Sequence, residues 1–382
     1  MNKRLLGGLD VSRFLRRHWQ KKPLLVRCAM APPAVITRDA LFELARRDDV
    51  ESRIVLRRGR RLQIHHGPFT KRALGALPRR NWTLLVQGVN HHLPAAHALL
   101  MKFAFIPYAR LDDVMVSYAA PGGGVGPHFD SYDVFLLQGA GRRRWETSTQ
   151  TDLVLVDDAP LKILRNFRPD DCSVLEPGDM LYLPPHVAHN GVAIDECITC
   201  SIGFRAPDTQ ELATRFLEFL QDTLALDGRY ADPELKFQRR PAHIGAPMLR
   251  QAAAMLSRVR WNTNDVARFL GRHLTEPKAN VIFDPPLRPL ARAAFARAAR
   301  HRGVHLVLKS QMLYGNGAVF INGEEQAVHG TDARTLRRLA DRRALPRGSA
   351  LDSAASELIH EWYRAGYLGL GEHPGADDDA IR

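Results

Sequence analysis

From about residue 110 to residue 205 the chain is a series of short β-branched and aromatic runs cut by glycine and proline turns. The runs lie in VMVSYAAPGGGVGPHFDSYDVFLLQGAGRRRWETS, LKILRNF, CSVLEPGDMLYLPPHVAHNGVAI and CITCSIGFRAP, with no long helix between them. Strands spaced this closely fold as an antiparallel double-sheet barrel or jelly roll. The spacing argues against a doubly wound parallel sheet, because each of its strand pairs needs a crossover helix.

The flanks have a different period. Asp10 is placed to cap a helix over 10–20 with Val11, Phe14 and Leu15 on one stripe, and KKPLLVR ends it because proline disfavours the helix behind it. Further helices are expected over 38–48 and 93–101. After FRAP, Asp208 and Glu211 form a capping-box pattern, and Leu212, Phe216, Phe219, Leu220 and Leu224 mark one helix face. More helix is expected over 246–273, as a bundle or a docking surface for another subunit. TEPKANVIFDPPLRPLARA reads as a boundary. Beyond it come a helix (289–301), a glycine-turned hairpin in VHLVLKSQMLYGNGAVFINGEE and helices around 332–341 and 350–365, a winged-helix-like set. The terminal GADDDAIR reads as a loose tail. The expected division is a β catalytic unit with helical N-terminal elements over 1–207, a helical unit over 208–274 and a winged-helix-like unit over 275–382.

With 382 residues the chain has room for a sizeable core in each unit. Its net charge of +13 favours association with nucleic acid or a nucleic-acid-rich particle. Residues 288–347 hold 12 Arg or Lys against 4 acidic residues, which suits a nucleic-acid-facing wing, a protein-facing surface or a solvated face. No apolar run approaches the roughly 20 residues of a membrane span. MNKRLLGGLDVSRF lacks the apolar core of an export signal, so the expected compartment is the cytoplasm. Cys28, Cys172, Cys197 and Cys200 make no disulfide framework, and the pair in ECITC falls on opposite sides of a strand, which suits packing better than a zinc knuckle.

The chemistry concentrates in GPHFDSYDVFLLQGAGRRRWE. If residues 128–137 form one strand, its period of two points His128 and Asp130 to the same side. A second histidine follows in EPGDMLYLPPHVAHNG, where both His186 and His189 are candidates, His189 the better spaced. Two imidazoles and a carboxylate on one side of an octahedral metal leave adjacent positions open, the requirement of a non-haem iron(II) oxygenase. Zinc fits a similar ligand set without the redox chemistry. A 2-oxo acid could chelate two open positions while dioxygen takes the third. The distant carboxylate of 2-oxoglutarate needs a cation, and Arg142, Arg143 and Arg144 offer bidentate clamps of alternating direction. PGGGVGP lacks the GK[ST] of a phosphate loop and reads as a close-passing rim at the mouth. IHHGPF and VNHHLP lack the strand-separated geometry of a metal site.

FLRRHWQKKPLLVR, HHGPF, LLVQGVNHH, SYAAPGGGVGPHFDSYDVFLLQGAGRRRW, LEPGDMLYLPPHVAHNG and SIGFRAP together resemble the bacterial ribosomal oxygenases of the JmjC/cupin class. Within that class they resemble the branch that hydroxylates an arginine of the large-subunit (50S) ribosomal protein sixteen. The resemblance runs from residue 10 to about 230 and continues more weakly to the end. It implies a double-stranded β-helix, a helical dimerisation domain and a C-terminal winged helix. It puts Fe(2+) on His128, Asp130 and His189, and the carboxylate-binding arginine at Arg143. Ser117 is kept as a co-substrate contact, whereas a second serine of the family pattern is Ala119 here. No catalytic residue beyond the metal centre is implied. The implied reaction consumes 2-oxoglutarate and O2 and yields a 3-hydroxyarginine, succinate and carbon dioxide.

A cationic target calls for acidic groups near the mouth, and Asp112, Asp113 and Asp133 are the candidates. Three other readings stay open on the residues: hydroxylation of a ribosomal-protein histidine, a cupin-like metal isomerase or hydrolase, and a nucleic-acid-binding or assembly protein whose barrel is vestigial. The expected partners are a large-subunit ribosomal protein as substrate and a second copy of the chain, with RNA contact possible and no membrane.

Overall fold

The computed structural model describes residues 3–59, 61–349 and 353–374. The GADDDAIR segment and residues 350–352 of the last expected helix lie outside them.

Eleven strands make the first two sheets: β1 (Leu24–Val26), β2 (Ser52–Arg58), β3 (Arg61–His66), β4 (Trp82–Val86), β5 (Leu111–Ala119), β6 (Val134–Ala140), β7 (Arg143–Ser148), β8 (Asp171–Leu175), β9 (Met180–Leu183), β10 (Ala188–Ala193) and β11 (Cys197–Phe204). The larger sheet has the order β1-β9-β6-β11-β5-β4-β2-β3 and the smaller the order β10-β7-β8, every pairing antiparallel. This is the double-sheet jelly roll that the strand spacing predicts, the double-stranded β-helix that the resemblance implies.

The period of two divides the large sheet's side chains between two cores. On β6, Phe135 and Leu137 join the core on the helical side, while Val134 and Leu136 face the smaller sheet with Trp145, Leu175 and Val187. The helical side is covered by α1 (Val11–Arg17), α2 (Arg38–Leu44), α3 (Lys71–Gly75) and α4 (Pro94–Met101). Asp10 caps α1 as expected, accepting from Arg13 N at 2.7 Å. The helix buries Phe14 completely, with ring centroids 5.6 Å from Phe135 and 5.1 Å from Tyr182. Truncating such a phenylalanine to alanine costs about 3–5 kcal/mol. Cys197 and Cys200 are buried in separate apolar clusters, so they pack and do not ligate.

One expectation needs correction. Residues 128–137 are not a single strand: β6 starts at Val134, and His128 forms an isolated antiparallel bridge with His189. The reason is topological. β6 belongs to the large sheet and His128 pairs with β10 of the small one, so the chain crosses between sheets in the intervening residues.

After the barrel come α5 (Thr209–Thr223), α6 (Ala246–Leu256) and α7 (Thr263–Thr275). Asp208 caps α5, accepting from Glu211 N at 2.7 Å. Phe219 and Leu220 of α5 pack on Phe269 of α7, whereas α6 buries none of its side chains. The C-terminal unit comprises α8 (Arg292–Arg302), β12 (Val304–Leu306), β13 (Met312–Gly315), β14 (Ala318–Ile321), β15 (Glu324–Ala327), α9 (Gly330–Arg342), β16 (Ala344–Leu345), α10 (Ser353–Arg364) and β17 (Leu368–Leu370). Two three-stranded sheets, β16-β12-β17 and β13-β14-β15, share its core with Phe295, Leu336, Ile359 and Trp362. α7 lies on the second sheet so closely that a Cβ at Gly271 would sit 2.4 Å from the Phe320 ring. Among the described residues no helix is long and apolar enough to cross a membrane.

Candidate active site

A cavity of about 280 Å³ opens between the two sheets, lined by the large sheet on one side and the small sheet on the other. His128, Asp130 and His189 share its wall, and their ligand-capable atoms all lie within 4.8 Å of one another. It is the one such histidine, cysteine or carboxylate cluster among the described residues.

The backbone sets this convergence. His128 N donates to His189 O at 2.9 Å and His189 N to His128 O at 2.7 Å, so the two residues face each other across the bridge with ring centroids 4.2 Å apart. His128 Nδ1 lies 2.9 Å from Gly126 O, and His189 Nδ1 lies 3.0 Å from Val187 O. A carbonyl only accepts, so both protons sit on Nδ1 and both Nε2 lone pairs are left for a metal. Asp130 Oδ2 is 3.7 Å from His189 Nε2, and the Tyr132 hydroxyl donates to the Asp130 carboxylate. His186 has φ +65°, its N–H donates to Asp130 O, its ring is tilted 42° to that of Phe129 with centroids 5.7 Å apart, and it is not part of the cluster.

Burial, helped by the neighbouring His128, pushes the His189 imidazole down to about 3, and burial raises the Asp130 carboxyl above its usual range. The pocket thus keeps His189 unprotonated and penalises a bare carboxylate, two conditions that a divalent cation turns into binding. The donor set fits iron(II): two neutral imidazoles and one carboxylate, on one side of the cavity.

β7, the neighbour of β10 in the small sheet, answers the question of the three arginines. Arg142 points outward and pairs with Asp195 at 2.9 Å, and Arg144 faces solvent beside Glu146 at 3.4 Å. Arg143 points inward and is buried. Its Nη1 donates to Ser117 Oγ at 3.3 Å, while Nε and Nη2 have no hydrogen-bond partner among the described residues. A buried guanidinium with no carboxylate beside it is costly by itself. Nε and Nη2 form one edge of the fork, the geometry that takes a carboxylate bidentately.

Two glycines make room for this arrangement. In the PGGGVGP rim, which lines the cavity as expected, a Cβ at Gly124 would lie 2.4 Å from Gly191 O. At Gly191 a Cβ would lie 2.7 Å from the Trp145 ring, whose centroid is 5.9 Å from that of His189.

Of the three acidic residues expected at the mouth, Asp112 and Asp113 line the cavity. Asp112 pairs with Lys278 at 2.9 Å and approaches Arg205 at 3.6 Å, and Asp113 accepts from Gln87 Nε2 at 2.8 Å and Gly88 N at 3.1 Å. Asp133 is a correction. It is fully buried off the cavity, where it accepts from the Tyr182 hydroxyl at 2.5 Å and Gln20 Nε2 at 3.0 Å, so it ties the turn after α1 to the barrel and leaves nothing for a substrate. Thr83 and Trp145 also line the cavity with buried, unpartnered polar atoms. Sequence reasoning missed both, since neither carries a motif and their meaning depends on which face of each strand is inside.

Comparison with known proteins finds two families along the chain. The JmjC domain family matches residues 98–212, and the ROXA-like winged helix family matches residues 258–369. The chain is 36% identical over 283 residues to the ribosomal protein uL16 3-hydroxylase of Escherichia coli (strain K12), covering 72% of this chain and 74% of that protein. It is 39% identical over 209 residues to a probable ribosomal oxygenase of Haemophilus influenzae, covering 52% of this chain and 50% of that one. The structure of the Escherichia coli ribosomal oxygenase YcfD in complex with cobalt and 2-oxoglutarate superposes with a TM-score of 0.81 at 29% identity, covering 95% of this chain and 99% of that chain. A second YcfD structure gives 0.84 at 31% identity, covering 95% and 98%. With a catalytic barrel, a winged helix and more than two thirds of a relative's length in common, the chain belongs to the JmjC-domain ribosomal oxygenases.

Proposed function

We propose that this chain is an iron(II)- and 2-oxoglutarate-dependent oxygenase that hydroxylates the β-carbon (C3) of an arginine in ribosomal protein uL16, the sixteenth of the large subunit. The observation that carries the reading is the pairing, in one cavity, of the His128–Asp130–His189 cluster with the Arg143 guanidinium edge that has no partner. That second, buried cation is the partner that the distal carboxylate of a metal-chelated 2-oxo acid requires.

His128, Asp130 and His189 would hold the iron, and Arg143 with Ser117 would hold the distal carboxylate of the oxo acid. Iron(II) with 2-oxoglutarate and O2 supplies the chemistry: decarboxylation to succinate and CO2, and insertion of one oxygen atom into a C–H bond. The chain's own part is positional. Trp145 from the small sheet and Leu136 and Val134 from the large one give the cavity an apolar lining. Asp112 and Asp113 give the mouth a negative charge that suits a cationic side chain. Lys278 now neutralises part of it, so an arriving guanidinium would compete with that lysine for Asp112.

The helical segment over 208–274 would join two copies of the chain, since it presents apolar side chains that nothing in one copy covers. The ribosomal substrate would place the enzyme in the cytoplasm, and the basic wing could meet ribosomal RNA there. The deciding experiment loads the protein anaerobically with iron and 2-oxoglutarate, admits oxygen, and reads uL16 peptides by mass spectrometry. A gain of one oxygen atom on arginine, lost in Asp130→Ala, supports the proposal. Oxo-acid turnover with no modified arginine would remove the substrate from it.

A further inference from the structure

The cavity wall carries a buried hydroxyl that the reading above leaves unused. Thr83 is 1% exposed, and its Oγ1 has no hydrogen-bond partner among the described residues. A buried polar atom left unpaired is costly, and a native fold keeps one where something else completes it. Thr83 lines the same cavity as Arg143 and Ser117.

Its place in the sheet says what that something is. Thr83 of β4 lies directly opposite Ala119 of β5, so the two share a face. Ser117, two residues along β5, is on that face as well. Thr83 and Ser117 are therefore diagonal cross-strand neighbours, roughly 7–8 Å apart at the backbone and less at the side chains. Ala119 contributes only a methyl group, packed against Ala193 and Cys197. The hydroxyl opposite Ser117 on the other side of β5, that of Thr199, gives its proton to Gln138 Oε1 at 3.1 Å, and Thr199 does not line the cavity.

A carboxylate accepts at about four lone-pair sites. Arg143 Nε and Nη2 supply two parallel donors. Ser117 Oγ accepts from Arg143 Nη1, so its own proton is free to be the third. We propose that Thr83 Oγ1 is the fourth donor, a binding residue for the distal carboxylate of 2-oxoglutarate that stands where the Ala119 methyl offers none. The inference rests on the 2-oxoglutarate reading and deepens it. Trp145 Nε1 is unpartnered as well, and its ring lies between the two groups, 5.9 Å from the His189 ring and 5.6 Å from the Arg143 guanidinium carbon, so Trp145→Phe is the control for a competing donor.

The test is the binding of 2-oxoglutarate to full-length, Zn(II)-loaded protein by calorimetry, beside steady-state turnover of the iron form. Thr83→Val keeps the shape and removes the hydroxyl. Losing one hydrogen bond to a charged acceptor should weaken Kd roughly tenfold or more, with the effect in Kd and KM and not in kcat. Thr83→Ser should retain wild-type affinity, and Ala119→Ser placed in the Thr83→Val background should recover part of the loss from the opposite strand. Because the hydroxyl is unpaired without ligand, Thr83→Val should also leave the Tm of the ligand-free protein unchanged or higher, whereas a merely structural threonine would lower it. Wild-type affinity in Thr83→Val, with affinity lost in Arg143→Ala, overturns the inference alone. Wild-type affinity in both variants overturns the 2-oxoglutarate reading and this inference with it.

Discussion

His128 and His189 exchange both backbone hydrogen bonds, at 2.9 and 2.7 Å, although His128 belongs to no strand. Two residues 61 positions apart are thereby held in register by main chain alone, and each imidazole is then fixed by a carbonyl two residues before it, Gly126 O and Val187 O. The metal-binding geometry is a property of the small sheet, present before any ion arrives. A divalent ion should therefore bind to a folded apoprotein and stabilise it by mass action.

At a hundredfold excess over Kd such an ion adds about 2.7 kcal/mol, or roughly 5–10 °C in Tm for a domain of this size. Differential scanning fluorimetry with Mn(II) should show that rise in the wild type and little of it in Asp130→Ala. Asp130→Ala should fold, since burial penalises its charge, and should lose all hydroxylation. An equal rise in the variant would show that the ion binds elsewhere.

Gly191 tests the packing behind the site. Gly191→Ala puts a methyl 2.7 Å from the Trp145 ring, which lies beside His189. Overpacking of this kind costs about 1–3 kcal/mol. We expect a lower unfolding midpoint together with weakened metal binding, because the Trp145 ring lies beside both His189 and Arg143 and is packed on its other sides by the apolar cluster of the two sheets. Chemical denaturation and a metal titration on the same sample measure both. A change in stability with metal affinity untouched would show that Trp145 yields in another direction.

The jelly roll was legible because turn chemistry and strand length are local, and so were the caps at Asp10 and Asp208, each a side chain meeting an amide three residues on. The ligand trio was legible by its residue types. What no local rule contains is which sheet a strand joins. Treating 128–137 as one strand placed His128 and Asp130 on a common face for the wrong reason, and only the crossing between sheets explains why they converge. The same gap hid Thr83 and misplaced Asp133. A threonine in a strand and an aspartate before one look alike in sequence whether they face a cavity or a core, and the register with Ala119 and the bond from Tyr182 decide the matter.

Asp179 gives a pH dependence away from the metal. Burial alone would raise its carboxyl, but the Cys28 and Glu176 amides, at 2.9 and 3.1 Å, and Arg27 at 2.6 Å outweigh burial and hold it below the usual carboxylate range. A depressed group contributes stability that is present above the unfolded value near 3.9 and is lost as pH falls through the folded value. Asp179→Asn should therefore lose about 1.5–3 kcal/mol at pH 6. The gap to wild type should close as pH falls below about 4. Urea unfolding at pH 6 and pH 3 is the measurement, and a gap of the same size at both would mean the charge contributes nothing.

The last prediction concerns the face of α6. Met248, Leu249 and Leu256 are 50%, 57% and 72% exposed, and the neighbouring Phe237 and Trp261 are 91% and 56% exposed. An amphipathic helix of a soluble chain turns its apolar stripe toward a core, and α6 buries nothing. Scattered apolar side chains are ordinary, but five large ones within a short segment form the kind of patch that marks an interface. A stable pairing needs about 800 Å² from each partner, and covering each large side chain contributes about 1.5–3 kcal/mol. The wild type should therefore run as a dimer in light scattering coupled to size exclusion. The double substitution Phe237→Glu with Leu249→Glu should run as a monomer whose barrel still binds Mn(II), since neither residue touches the cavity. A monomeric wild type at micromolar concentration would refute the pairing. A double variant that stays dimeric would place the interface on another surface.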